Sequence, residues 1–141
     1  MRRKLLFLLI GAFILPVTSY FAPYRAAADN QDAKPTEVKI DPAKFDDYVG
    51  QYATPTNPDV VLSFFREGNK YYVQATNQGR IEIFPASESK FFVKLFDAQV
   101  DFVRDAQGKV TGIVWHQEGR TTNANRTSTN GNPVNAQFQY P

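Results

Sequence analysis

The stretch Phe102-Val103-Arg104-Asp105-Ala106-Gln107-Gly108-Lys109-Val110-Thr111-Gly112-Ile113-Val114-Trp115-His116-Gln117-Glu118-Gly119 decides the fold class. It reads as one strand ending at Arg104, a turn over Asp105–Gly108, and a returning strand from Lys109 to His116. Aspartate at the opening position hydrogen-bonds its own backbone, and glycine accepts the left-handed conformation that closes such turns. Gly119 repeats the device after Glu118.

Outward from this hairpin the same grammar recurs. Towards the N-terminus the strand candidates are Tyr48–Thr54, Val60–Arg66, Lys70–Thr76, Arg80–Phe84, Lys90–Phe96 and Gln99–Arg104. Arg120–Arg126 follows the hairpin and makes eight in all. Gly68-Asn69 and Asn77-Gln78-Gly79 supply further turns. Pro55, Asn57 and Pro58 are expected to force a loop. No run of helical period lies between these segments. Short strands with turns every 8–12 residues indicate an antiparallel sandwich or barrel. Consecutive hairpins favour an up-and-down meander, which hides its edges by closing. The expectation is therefore all-β, about eight strands, as a barrel or half-barrel. Asp41-Pro42 reads as the N-cap and first position of a short helical turn.

The flanks have a different composition. Three positive charges within Met1–Lys4, the apolar run Leu5–Leu15, Pro16, and Ala26-Ala27-Ala28 have the order of a secretory signal peptide over residues 1–28, cleaved after Ala28. The apolar run is short for a membrane span, so membrane attachment would require an uncleaved segment. Residues 29–44 read as a flexible leader, 45–126 as the folded domain, and 127–141 as a disordered tail poor in hydrophobes. The compartment expected is periplasmic or secreted.

Composition excludes several classes. The chain has 141 residues and no cysteine, so no disulfide scaffold, thiolate site, cysteine nucleophile or acylated N-terminal cysteine is available. Its net charge of +2 includes Arg2, Arg3, Lys4 and Arg25. Removing those four from 16 basic residues leaves 12 against 14 acidic ones, a net of −2. A mildly acidic domain has no electrostatic reason to bind nucleic acid.

The segment Phe91-Phe92-Val93-Lys94, then Asp97 to Val114, then His116-Gln117-Glu118-Gly119-Arg120, together with the opening Tyr48-Val49-Gly50-Gln51-Tyr52, carries a resemblance. It resembles a lipocalin-like domain of unknown function found C-terminal to bacterial serine hydrolases of the penicillin-binding-protein and class C β-lactamase type. The resemblance covers about Phe45 to Arg126, and Phe102 to Gly119 is its most specific part. It implies a barrel or half-barrel and marks Tyr48, Gly50, Tyr52, Asp105, Gly108, Gly112 and Gly119 as structural positions. The catalytic domain of those enzymes lies upstream; here the upstream segment reads as a signal peptide and linker. Trp115 stands where an aliphatic residue is expected.

No catalytic constellation can be assembled. Ser87-Glu88-Ser89-Lys90 matches the Ser-x-x-Lys pattern, but that chemistry needs a helix to put both groups on one face. Three apart on a strand, they point oppositely. His116 is the single histidine; it reads as a cross-sheet hydrogen-bonding group, and no metal site converges on it. Asp46, Asp47, Asp97, Asp101 and Asp105 read as solvent-facing charges. No cofactor is expected. The candidate ligand-binding residues are Tyr72, Phe84, Phe92, Trp115 and His116, chosen because paired aromatics place rings on both sheet faces. Two functions follow: a module binding a small apolar or amphipathic ligand, or an accessory partner docking on a separate periplasmic serine hydrolase.

Overall fold

The computed structural model describes residues 34–135. The expected signal peptide with its cleavage after Ala28, the first leader residues and residues 136–141 lie outside the described residues. The elements are α1 (Pro42–Phe45), β1 (Gly50–Thr54), β2 (Asn57–Glu67), β3 (Lys70–Ala75), β4 (Ile81–Pro85), β5 (Lys90–Val93), β6 (Ala98–Arg104), β7 (Val110–Gln117) and β8 (Arg120–Ser128). All pairings are antiparallel and sequential, and β1 pairs with β8, closing the barrel. The all-β meander read from the turns is therefore a full barrel, and closure leaves no edge strand.

Most strand ends shift by one or two residues from the expectation, β1 for instance beginning at Gly50 rather than Tyr48, and three changes have a structural reason. β2 begins at Asn57, so Pro55 and Thr56 alone turn the chain and Pro58 lies within the strand. Residues 57–60 are exposed there, where a missing N–H costs little. β5 stops at Val93, and Lys94–Asp97 bend away with Leu95 83% exposed. β8 runs on to Ser128, two residues into the expected disordered tail, and the chain beyond it packs on the barrel.

In a meander the hairpins alternate between two ends. One end is closed by α1. Asp41 Oδ1 accepts from the Ala43 amide at 3.0 Å, and Pro42 occupies the first helical position, as its sequence signature requires. The turn drives Phe45, which is fully buried, into that end. Two arginines tie it down. Arg66 grips Asp46 through Nε–Oδ1 at 2.5 Å and Nη2–Oδ2 at 2.8 Å, and Arg104 Nη2 donates to Asp47 Oδ2 at 3.0 Å. The Asp46–Asp47 pair is thus a clamp. The hydrogen bond from Arg66 holds the Asp46 carboxyl below its ordinary value.

The leader is anchored as well. The Val38 amide donates to Pro85 O at 2.9 Å, and Glu37 pairs with Lys94 at 2.6 Å. Ile40 packs against the core.

The β6–β7 hairpin has the geometry its sequence implies. Asp105 Oδ1 accepts from the amides of Gln107 and Lys109, both at 2.9 Å, and Gly108 has φ +80°. A Cβ built on Gly108 would meet nothing within 4 Å beyond its chain neighbours, so only backbone strain opposes a side chain there. Gly108→Val is expected to cost about 1–2 kcal/mol, because a Cβ in the left-handed region is penalised. Asparagine tolerates that region, so Gly108→Asn should keep most of the loss back. Thermal melts of the two variants check this; equal melting would contradict it.

Candidate functional site

Strand alternation sorts the aromatics into two sets. Inside, Phe45, Tyr48, Tyr52, Phe64, Tyr71, Phe91 and Phe102 form one ring cluster. Tyr48 stacks on Phe102 at 4.1 Å, Phe45 lies 4.7 Å from Tyr71 and 5.2 Å from Phe91, and Phe64 meets Phe102 edge-on at 5.1 Å. These seven rings fill the α1 half of the barrel. The Tyr52 hydroxyl donates to Tyr48 O at 2.8 Å.

Burial pushes the Tyr52 phenol up to about 12 from 10.0. The raised value means that the fold favours the neutral phenol. That stability is intact below pH 10 and is lost as pH climbs from about 10 towards about 12, a loss on the order of 2–3 kcal/mol. Tyr52→Phe should lose about 1 kcal/mol at neutral pH through the hydrogen bond and show a shallower decline at alkaline pH. Urea melts across pH 8–12 check this; an unchanged alkaline slope would contradict it.

The opposite end carries hydrophobic side chains that are less deeply buried. Leu62, Ile81, Phe96 and Trp115 are half-buried against the core there. Leu95 and Val60, 83% and 41% exposed, form the apolar part of its rim. The Trp115 indole N–H donates to Gln117 Oε1 at 3.0 Å.

The five residues expected to bind ligand do not share a cavity. Trp115 points inwards. Tyr72, Phe84, Phe92 and His116 stand on the outer face, because each follows or precedes an inward-facing neighbour. Phe84, Phe92, Gln99, His116 and Thr121 form one cross-strand row over β4–β8. Phe84 and Phe92 have centroids 6.0 Å apart. Tyr72 stacks on Phe65 at 5.5 Å with the Arg80 guanidinium 4.7 Å from its ring, and Lys94 Nζ lies 3.7 Å from Phe84.

His116 bridges three strands. Its Nδ1 is 3.1 Å from Thr121 Oγ1 and its Nε2 is 3.2 Å from Asp101 Oδ2. The cross-sheet role read from the sequence is the one it has. Asp101 also pairs with Lys90 at 3.5 Å. Ser87 of the Ser-x-x-Lys match lies in the β4–β5 turn, where its Oγ accepts from the amides of Ser89 and Lys90 at 3.3 and 3.1 Å. Hydroxyl and amine are thus both engaged elsewhere. Among the described residues no group of three or more metal-ligating side chains converges.

Two features escaped the sequence reading. Arg126, within the last strand, turns inwards. Its Nη2 donates to Val49 O at 2.6 Å, its Nη1 to Val110 O at 3.4 Å, and it borders an open groove of about 550 Å³ lined by residues 109–111 and 126–129. Ser63 is the only buried polar residue among those described, and residues 130–135 cover it. No local signal marks either, because both depend on barrel closure.

The architecture defines a small all-β domain, a closed eight-stranded meander plugged at one end. The chain belongs to the family described as Domain of unknown function (DUF3471), which matches residues 34–137. It is also similar to Penicillin-binding protein 4* of Bacillus subtilis (strain 168), at 27% identity over 108 residues. That match covers 77% of this chain and 22% of the relative, so the chain spans about a fifth of that protein's length. No helix of the described residues is long and apolar enough to cross a membrane.

Proposed function

We propose that this protein is an exported, non-catalytic accessory module that docks on a serine hydrolase of the penicillin-binding-protein type. The observation that carries the reading is the packed interior. A barrel built to hold a ligand needs space along its axis, and here seven rings stand in the α1 half of it. The alternative is a small apolar or amphipathic ligand held at the end where Trp115 and Phe96 are half-buried or in the open groove beside Arg126. The packed α1 half moves recognition to the outside. The similarity to a penicillin-binding protein supports the class of partner. The apolar rim carrying Leu95 and Val60 is the contact surface of choice, since a leucine this exposed contributes nothing to the fold.

The test uses purified protein lacking residues 1–28, immobilised and offered a bacterial envelope extract labelled with fluorescent penicillin. Retention of a penicillin-reactive hydrolase is expected. Leu95→Asp should weaken retention at least about tenfold, the scale of an interface anchor, while leaving the melting temperature within about 2 °C of the parent. No retained hydrolase, or retention indifferent to Leu95, overturns the reading. Saturable uptake of an apolar fluorescent probe would favour the ligand alternative, and β-lactam turnover by the pure protein would end the non-catalytic one.

A further inference from the structure

After β8 the chain reverses and crosses the outside of β1, β2 and β3. The reversal is local: the Asn130 amide donates to Ser128 Oγ at 3.0 Å, and the Asn132 amide to Asn130 Oδ1 at 2.9 Å. Beneath the crossing lies a cross-strand row of three polar side chains, Gln51, Ser63 and Gln74, directly paired in register. All three donate to the strap. Gln51 Nε2 and Ser63 Oγ both reach Asn132 O, at 2.9 and 3.2 Å, and Gln74 Nε2 reaches Asn135 Oδ1 at 3.4 Å. The Asn77 amide donates to Val134 O at 3.4 Å. Gly131 is buried in a slot where a Cβ would collide with Phe64 O, meet Val49 Cγ1 at 2.7 Å and press on Phe65 Cβ at 3.3 Å.

We propose that the outer face of β1–β3 is a docking site for an extended, glycine-containing polypeptide, occupied in this protein by its own residues 130–135. Three of the four hydrogen bonds from the barrel end on backbone carbonyls of the strap, which any extended chain offers. Sequence enters chiefly at one point, the Gly131 slot, which accepts no side chain. The strap adds little apolar burial, since Pro133 and Val134 are only half-buried. Tethering supplies the rest: a linked segment acts at an effective concentration in the millimolar range. The strap can leave without opening the barrel, because the β1–β8 pairing ends at Ser128. A partner's glycine-bearing segment would then compete for the uncovered row. This inference rests on β1–β3 with the flanking Val49 and Asn77, and stands apart from the docking surface at the Leu95 rim.

The experiment uses the chain lacking only residues 1–28 and a fluorescent peptide, Thr-Asn-Gly-Asn-Pro-Val-Asn, the sequence of residues 129–135. Gly131→Leu ejects the strap from its slot. Saturable binding of the peptide to folded Gly131→Leu, at least about tenfold tighter than to the parent, is expected. It should be lost when the peptide's glycine becomes leucine and weakened by Gln51→Ala with Gln74→Ala. No saturable binding, or equal binding of the leucine peptide, overturns the proposal. Failure of Gly131→Leu to fold also counts against it, since a detachable strap is not required for folding. Hydrogen exchange on the parent decides independently. Amides of residues 129–135 should exchange at least about a hundredfold faster than those of β1–β3; exchange in step with the strands overturns it.

Discussion

Gly112→Val is expected to lower stability by about 3 kcal/mol or more and the melting temperature by roughly 15 °C. Gly112 lies in β7 between two partners, opposite Val103 of β6 and Asn125 of β8. The β6–β7 register shifts beside it, between Val103 and Arg104. A Cβ built on Gly112 would stand 2.6 Å from Ala124 O, a backbone atom with no rotamer to escape into. Accommodation means moving β8 away from β7, and β8 is the strand that closes the barrel on β1. Glycine inside a strand commonly marks such a bulge or close backbone approach. Gly112→Ala should already lose most of this stability, because the first carbon makes the collision. Gly108→Val, where the surroundings are open, provides the comparison. Urea unfolding of the three variants checks the order. A Gly112→Val protein melting within about 3 °C of the parent would mean that β7 and β8 are not this close.

Phe102→Ala should cost about 4 kcal/mol, within the range for removing a core aromatic. Phe102 touches five other rings of the interior cluster: Phe45, Tyr48, Tyr52, Phe64 and Phe91, with centroids between 4.1 and 6.2 Å. Those rings come from α1, the segment after it, β1, β2 and β5, so no single element can shift to fill the space. Edge-on and stacked contacts add to the area term. Phe84→Ala, on the outer face, should cost about 1 kcal/mol or less, since the ring is half-buried and packs on one aromatic partner. Urea midpoints with an unchanged m-value measure both. The space left by Phe102→Ala should also admit a small apolar molecule that the parent excludes, which thermal shift in the presence of benzene detects. Equal losses for the two variants would place the core on the wrong face.

The hairpins were legible because their chemistry is local. Asp105 and Gly108 define their turn by an Asx hydrogen bond and a positive φ, both within four residues. Asp41-Pro42 announces its helical turn for the same reason. Strand ends were less legible where tertiary contacts extend or cut them. β8 is carried on to Ser128 by its pairing with Gln51 of β1 and by the Thr127 hydroxyl donating to Gln51 O at 3.2 Å, contacts some 75 residues apart in the chain. The candidate ligand residues were legible only as aromatics on strands. A doublet such as Tyr71-Tyr72 or Phe91-Phe92 puts one ring on each face whichever way the strand is turned, so its composition carries no inside or outside.

By itself the sequence determined the class, the hairpin order and the turn geometry, because these rest on backbone preferences and on a two-residue period read over a few positions. Closure into a barrel determined everything that depends on which face is inside. It sent Trp115 inwards and His116 outwards, filled the axis with Phe45 and Phe102, and turned Arg126 to the Val49 carbonyl. It also laid residues 130–135 over Ser63. These contacts join segments tens of residues apart. They become favourable only when all eight strands are in register, so no local window of the chain contains them.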